Sequence, residues 1–272
     1  MRFFQSRQLP VLFVVALWLS VAAQAQNAPK PEPIRIAFVG DSMADGLWQG
    51  VTRTIAKNAC LKALIDTERF GKNGTGLTRL DKFNWPRELV AIDKRYKAQI
   101  YVVSVGLNDR NPIHDPDGKG AQYRSKEWPD VYREKIDKLL KSATGMKASV
   151  VWLGIPSLRD GPSDQEAKEK NELYAAAISA LKDPSVRYVE PWRIKPEGDD
   201  PFSTYGPGED GKLIALRTAD GSHFTPAGYD LLGAYLYPKI VESLRQRGVD
   251  IDKLCPAKSE ANPDTKSGEK PN

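Results

Sequence analysis

Strand-length and helix-length segments alternate five times along this chain, and that alternation constrains its fold more than any other feature. The strand-length segments are Ile34–Val39, Leu61–Asp66, Ile100–Val105, Ser149–Leu153 and Val186–Val189. Most are continuous apolar runs without in/out alternation, the pattern of strands covered on both faces. Between them lie Leu47–Lys57, Pro86–Tyr96, Pro129–Ser142 and Asp164–Leu181, and Pro226–Arg247 closes the series. Pro129–Ser142 carries Val131, Ile136, Leu139 and Leu140 on one face. Asp164–Leu181 is expected to turn Leu173, Ala176, Ala177 and Ile178 inward and its Glu/Lys run outward. Strands joined through helices pair in parallel, because a crossover returns the chain to the same end of the sheet. The expected fold class is therefore α/β, a three-layer α/β/α sandwich around a parallel five-stranded sheet. In such sheets ligands bind outside the carboxyl ends of the strands.

The two ends of the sequence stand apart from this alternation. Arg2 and Arg7 precede the apolar stretch Val11–Ala22, and Ala23-Gln24-Ala25 follows with a small-x-small pattern. That stretch falls short of the roughly 20 residues a membrane-spanning helix needs. Residues 1–25 are thus expected to be a signal peptide cleaved after Ala25. The mature protein is expected to be periplasmic or secreted, with no stable membrane insertion. Residues 26–33 read as a polar, proline-bearing leader, 34–255 as one domain, and 256–272 as a disordered tail. Asp109–Trp128 and Lys195–Arg217 lack periodicity and read as long loops, the second with a hairpin arm at Leu213–Leu216. The net charge of +5 is small, and lysines alternate with acids along the expected helices, so no nucleic-acid partner is indicated. Cys60 and Cys255 are the two cysteines. In an oxidising compartment an isolated pair is most simply a disulfide, closing a loop worth on the order of 4–5 kcal/mol. Two unpaired thiols are the alternative.

Four short segments carry candidate chemistry. Gly40-Asp41-Ser42 ends the first strand, where a serine at a strand-to-helix turn exposes its Oγ and sets its N–H at the positive helix end. Read alone, it is as well explained as a helix cap. Asp220-Gly221-Ser222-His223 stands just before the closing helix, and an aspartate three residues before a histidine can hold the imidazole by Nδ1–H. Gly106-Leu107-Asn108-Asp109 follows the most apolar strand, where an asparagine amide can donate to an oxyanion or simply form a turn. Asn73-Gly74-Thr75-Gly76 follows the second strand and offers backbone N–H groups at close approach. His114, the other histidine, lies in the Asp109–Trp128 loop beside Asp115 and is assigned a structural or substrate-edge role. Trp48, Trp85, Trp128, Trp152 and Trp192 are core or rim residues by default. Trp85 and Trp128 flank glycine-rich or loop segments, which keeps a sugar-stacking role open for them.

Ser, Gly, Asn and Asp-x-x-His arrive in that order at successive strand ends, and the set resembles the SGNH/GDSL hydrolase superfamily. The resemblance runs from about Ile34 to the closing helix. It is strongest at Gly40-Asp41-Ser42 and at Asp220-Gly221-Ser222-His223-Phe224-Thr225-Pro226-Ala227-Gly228, which is similar to that family's D-G-x-H-x-T-x-x-G block. The resemblance implies a flavodoxin-like sheet, Ser42 as nucleophile, and Asp220 and His223 as the rest of a triad. It implies an oxyanion hole built from the N–H of Ser42, the N–H of Gly76 and the amide of Asn108, with Gly74 as the alternative to Gly76. Met43-Ala44-Asp45-Gly46 departs from the family's longer hydrophobic opening and argues against the lipase-like members. The implied activity is hydrolysis of short acyl esters, small or glycan-borne, with no cofactor and no metal. An O-acyltransferase using the same residues and a non-catalytic glycan-binding module are the competing readings. The oligomeric state is left open.

Overall fold

The computed structural model describes residues 32–114, 120–193 and 202–256. The expected signal peptide, nearly all of the leader and all but the first residue of the tail lie outside the described residues. The chain divides into two units, Met1–Pro33 and Ile34–Asn272, and every element below belongs to the second. Strands β1 (Ile34–Gly40), β2 (Ile65–Gly71), β3 (Ile100–Ser104), β4 (Ser149–Leu153) and β5 (Val186–Val189) form one sheet in the order β2-β1-β3-β4-β5. All four pairings are parallel. This is the doubly wound α/β sandwich expected of the alternation, and its direction reverses between β1 and β3. At that switch point two adjacent strands feed helices to opposite faces, and a crevice opens at their carboxyl ends.

One face carries α1 (Ser42–Ala56) and α6 (Pro226–Gln246), and the other carries α3 (Trp85–Tyr96), α4 (Trp128–Thr144) and α5 (Gly161–Leu181). Short helices α2 (Ala59–Leu64) and α7 (Ile251–Leu254) lie outside these layers in sequence, after α1 and α6. The segment expected as a strand from Leu61 instead begins as helix. Asn58 accepts from the Cys60 and Leu61 N–H groups and starts α2, which delays the strand to Ile65. In the loop before the closing helix, β6 (Tyr205–Pro207) and β7 (Leu213–Ala215) pair as an antiparallel hairpin, close to the arm expected there.

Two glycines set the approach of α1 and α6. A Cβ on Gly50 would lie 1.9 Å from the Tyr229 carbonyl oxygen, and one on Gly233 would lie 2.4 Å from the Gly50 carbonyl carbon. The helices therefore pack backbone to backbone, and Arg53 pairs with Asp230 across them. Cys60 and Cys255 form a disulfide with a Cα–Cα distance of 5.7 Å, tying α2 to the residue after α7. No helix among the described residues is long and apolar enough to cross a membrane.

The core corrects two readings. Ala176 is exposed, whereas Lys170 and Tyr174 of the same helix are buried at 4% and 0% exposure. Trp85 and Trp128 are also buried, at 1% and 8%, packed on Phe83 and Tyr132, so neither is available to stack on a sugar.

Candidate active site

The geometry of the first strand end starts at Gly40. Its φ of +139° suits only glycine, and a Cβ there would lie 1.7 Å from the Ser104 carbonyl oxygen of β3. The chain thus crosses directly over the end of the neighbouring strand, and the Asp41 N–H donates to that same oxygen at 3.0 Å. Asp41 then caps α1, its Oδ1 accepting from the Met43 N–H at 3.0 Å. Helix α1 begins at Ser42, five residues earlier than its hydrophobic periodicity predicts, because the cap and not the apolar stripe decides where it starts. Ser42 is half-buried, and its N–H has no acceptor among the described residues.

At the head of α6 the chain presents the second half of the site. Ser42 Oγ lies 2.7 Å from His223 Nε2, and His223 Nδ1 lies 2.8 Å from Asp220 Oδ2. An ionised carboxylate can only accept, so Nδ1 carries the proton and Nε2 is left to accept from the Ser42 hydroxyl. Partial burial pushes the Asp220 carboxyl up. The N–H groups of His223 and Ser222, the imidazole and the Thr218 hydroxyl outweigh it and hold the group well below the usual carboxylate range. Asp220 is thus an anion at neutral pH. The loop behind it is fixed by buried Arg217, whose Nη2 donates to the carbonyls of Ser222 at 2.7 Å and Ser157 at 2.9 Å. Thr225 caps α6 by accepting from the Gly228 N–H at 3.1 Å.

Asn108 and Gly76 sit together on the other loops. The Asn108 amide donates one N–H to the Thr75 carbonyl at 3.0 Å, which orients the side chain and leaves its second N–H. Gly76 is buried, its N–H has no acceptor among the described residues, and a Cβ there would lie 2.0 Å from Asp109 Oδ1. Gly74, by contrast, is exposed with open space around it. His114 is exposed and far from this chemistry in its bonding: its backbone N–H donates to Thr78 O at 3.0 Å.

A family described as a protein of unknown function (DUF459) matches residues 35–239, a span that holds all of these groups. The chain belongs to the DUF459 family. No curated protein matches it in sequence. Its fold is that of the SGNH/GDSL hydrolases, as three solved structures show. A carbohydrate esterase family 3 protein from Talaromyces cellulolyticus aligns at 13% identity over 78% of this chain and 99% of its own, with a TM-score of 0.54. A GDSL-like lipase from Bacteroides thetaiotaomicron aligns at 18% identity over 84% and 99%, with a TM-score of 0.51. The periplasmic domain of a lipopolysaccharide acetyltransferase from Salmonella ser. Paratyphi A aligns at 14% identity over 81% and 88%, with a TM-score of 0.50.

Beneath the exposed groups this DUF459 chain holds a buried polar frame that its sequence motifs did not reveal. Asp41 Oδ2 accepts from the N–H groups of Gly106 and Leu107 at 3.0 and 3.1 Å, joining the serine turn to the asparagine loop. Burial pushes the Asp41 carboxyl up to about 6, against the pull of the donors from Met43, Leu107 and Gly106. Asp109 accepts from the Leu77 and Thr78 N–H groups at 2.8 and 3.0 Å and from the Tyr132 hydroxyl at 2.8 Å. Lys170 Nζ donates to the carbonyls of Gly106 at 2.9 Å and Asp109 at 3.3 Å, and burial pulls its pKa down. Tyr174 donates to the Val105 carbonyl at 3.1 Å. The signal for Lys170 was present in its spacing: it shares a helical stripe with Ala167, Tyr174 and Ala177, all buried.

Proposed function

We propose that this protein is an exported serine esterase that hydrolyses short acyl esters carried on glycans. The observation that carries the reading is the continuous hydrogen-bonded chain Ser42–His223–Asp220, set at the switch point of the sheet. Ser42 Oγ attacks the ester carbonyl carbon while His223 Nε2 takes its proton, and the Asp220 anion stabilises the imidazolium that forms. The oxyanion accepts from the Ser42 N–H, the Gly76 N–H and the free amide N–H of Asn108. Collapse of the tetrahedral adduct expels the alcohol oxygen, which takes the proton from His223. Water then repeats the sequence on the acyl-enzyme and releases the acid. Gly76 is preferred to Gly74 because it is buried beside Asn108.

The Cys60–Cys255 disulfide supports export, since such bonds persist in oxidising compartments. An acyltransferase would use the same groups with a sugar hydroxyl in place of water, and the likeness in fold to an acetyltransferase domain keeps that outcome in the test. Purified protein is offered p-nitrophenyl esters from acetate to palmitate, with and without saccharide acceptors. Acetate is expected to be the best substrate, and Ser42→Ala to lose nearly all turnover. A preference for palmitate contradicts the short-acyl reading. Turnover by Ser42→Ala equal to wild type contradicts the assignment of the nucleophile.

A further inference from the structure

A cavity of about 920 Å³ lies beyond the carboxyl ends of β4 and β5, walled by the loop after β4, the first half of α5 and the residues that follow β5. We propose that this cavity binds the alcohol side of the substrate, a neutral saccharide carrying the ester; the proposal rests on the esterase reading above.

Its position follows from the hydrogen bonds that join it to the histidine loop. The Arg159 N–H donates to the Gly221 carbonyl at 3.0 Å, and Arg159 Nη1 donates to the Ala219 carbonyl at 2.8 Å. Arg217 bridges Ser157 of the cavity wall to Ser222. The wall and the Asp220–His223 loop are therefore one bonded unit. His223 must return its proton to the leaving oxygen, so the alcohol lies on the His223 side of Ser42. Gly76 and Asn108 stand on other loops and receive the carbonyl oxygen. A cavity bordering the histidine loop is thus placed for the leaving group, not for the acyl chain.

Its chemistry selects the class of alcohol. Three aromatic side chains line it, Tyr188, Trp192 and Phe202. Trp192 is half-buried, its edge packed against Phe224, the residue after His223, with ring centroids 6.1 Å apart. The Tyr188 hydroxyl is buried and has no hydrogen-bond partner among the described residues. A buried hydroxyl without a protein partner is uncommon and can bond an ordered water or a polar ligand group. Among the described residues the charged lining is balanced: Arg159, Lys168 and Arg193 stand against Asp164, Glu172 and Glu190. Equal numbers of both signs give no reason to bind a polyanion, and six charged side chains set among the apolar ones disfavour an acyl tail. Aromatic faces among many alternating donors and acceptors suit a ring with apolar C–H faces and hydroxyl edges. The wall is also rigid, because the Asn171 side chain holds Ile155 by both its N–H and its carbonyl at 2.8 Å.

The test compares kcat/KM for acetylated xylose, glucose and N-acetylglucosamine oligosaccharides with kcat/KM for ethyl acetate. Wild type is expected to favour at least one saccharide acetate by tenfold or more. Ala175→Trp fills the cavity from a half-buried position of α5 that lines it, its fold checked by melting temperature, and is expected to cut that ratio at least tenfold, chiefly through KM. Trp192→Ala is expected to lower the ratio in the same direction. A wild-type ratio near one for every saccharide, or an unchanged ratio in Ala175→Trp, overturns the proposal. A wild type that cleaves no ester at all, p-nitrophenyl acetate included, overturns the esterase reading on which it rests.

Discussion

Asn108 spends one amide N–H on the Thr75 carbonyl, so its side chain is already oriented before any substrate arrives. In the proposed mechanism, truncating it removes a donor that acts on the transition state more than on the bound ester. Asn108→Ala is expected to lower kcat for p-nitrophenyl acetate by about 10²–10³ with a small change in KM; equal kcat in the two proteins contradicts its role. Asp41 makes a different kind of prediction. Its carboxyl titrates near 6 in the fold, above the ordinary 3.8, so the folded state holds a proton that the unfolded chain has lost. Its contribution to stability is full below about pH 3.8 and is lost as the pH rises through about 6. Urea unfolding of wild type and Asp41→Asn from pH 4 to 8 should show a difference that moves in favour of the variant by about 2–3 kcal/mol as pH rises. Parallel profiles contradict the buried-anion account. Aspartate and histidine were legible because their spacing is local, Asp-x-x-His closing within one loop, and the serine because it stands where an apolar strand stops at Gly40. The frame of Asp41, Asp109 and Lys170 was not, because its bonds join side chains to backbone groups up to 66 residues away with no motif to mark them.

At the scale of elements, the site depends on two helices whose first turns meet. Ser42 opens α1 and His223 stands just before α6, and the Gly50–Gly233 contact fixes how closely those helices lie. Gly233→Val forces them apart. Esterase activity is expected to fall below one hundredth of wild type, and the melting temperature to drop by several degrees, as overpacking costs roughly 1–3 kcal/mol. Full activity in that variant contradicts the coupling. Four of the five strands and the principal helices were readable from periodicity and apolar runs, whereas β2, a largely exposed edge strand, shares only Ile65 and Asp66 with the strand expected there. Boundaries set by single caps were not: Asp41 moved the start of α1, and Asn58 turned the beginning of an expected strand into α2. Inward-facing tyrosines and a lysine on α4 and α5 escaped notice because polar tips usually mark an outer face, whereas here they reach the Asp109 carboxylate and the carbonyls of Gly106 and Val105.

Across the whole molecule, the Cys60–Cys255 bond spans 195 positions and encloses four of the five strands of the sheet. In the chain-entropy model its removal costs on the order of 4–5 kcal/mol. The double variant Cys60→Ser/Cys255→Ser should show that loss in urea unfolding while kcat/KM for p-nitrophenyl acetate is retained under folding conditions; equal stability contradicts a structural bridge. The sheet direction reverses between β1 and β3, and the serine and asparagine loops leave from those two strands, so the topology itself places a crevice where the chemistry is proposed. The central claim, that Ser42 is a nucleophile activated by His223, is tested most directly by labelling the folded protein with a fluorophosphonate and mapping the adduct by mass spectrometry. The account predicts one adduct, on the peptide containing Ser42, absent from Ser42→Ala and strongly slowed in His223→Ala. An unlabelled Ser42 in folded wild-type protein, or an adduct that persists in Ser42→Ala, would contradict it.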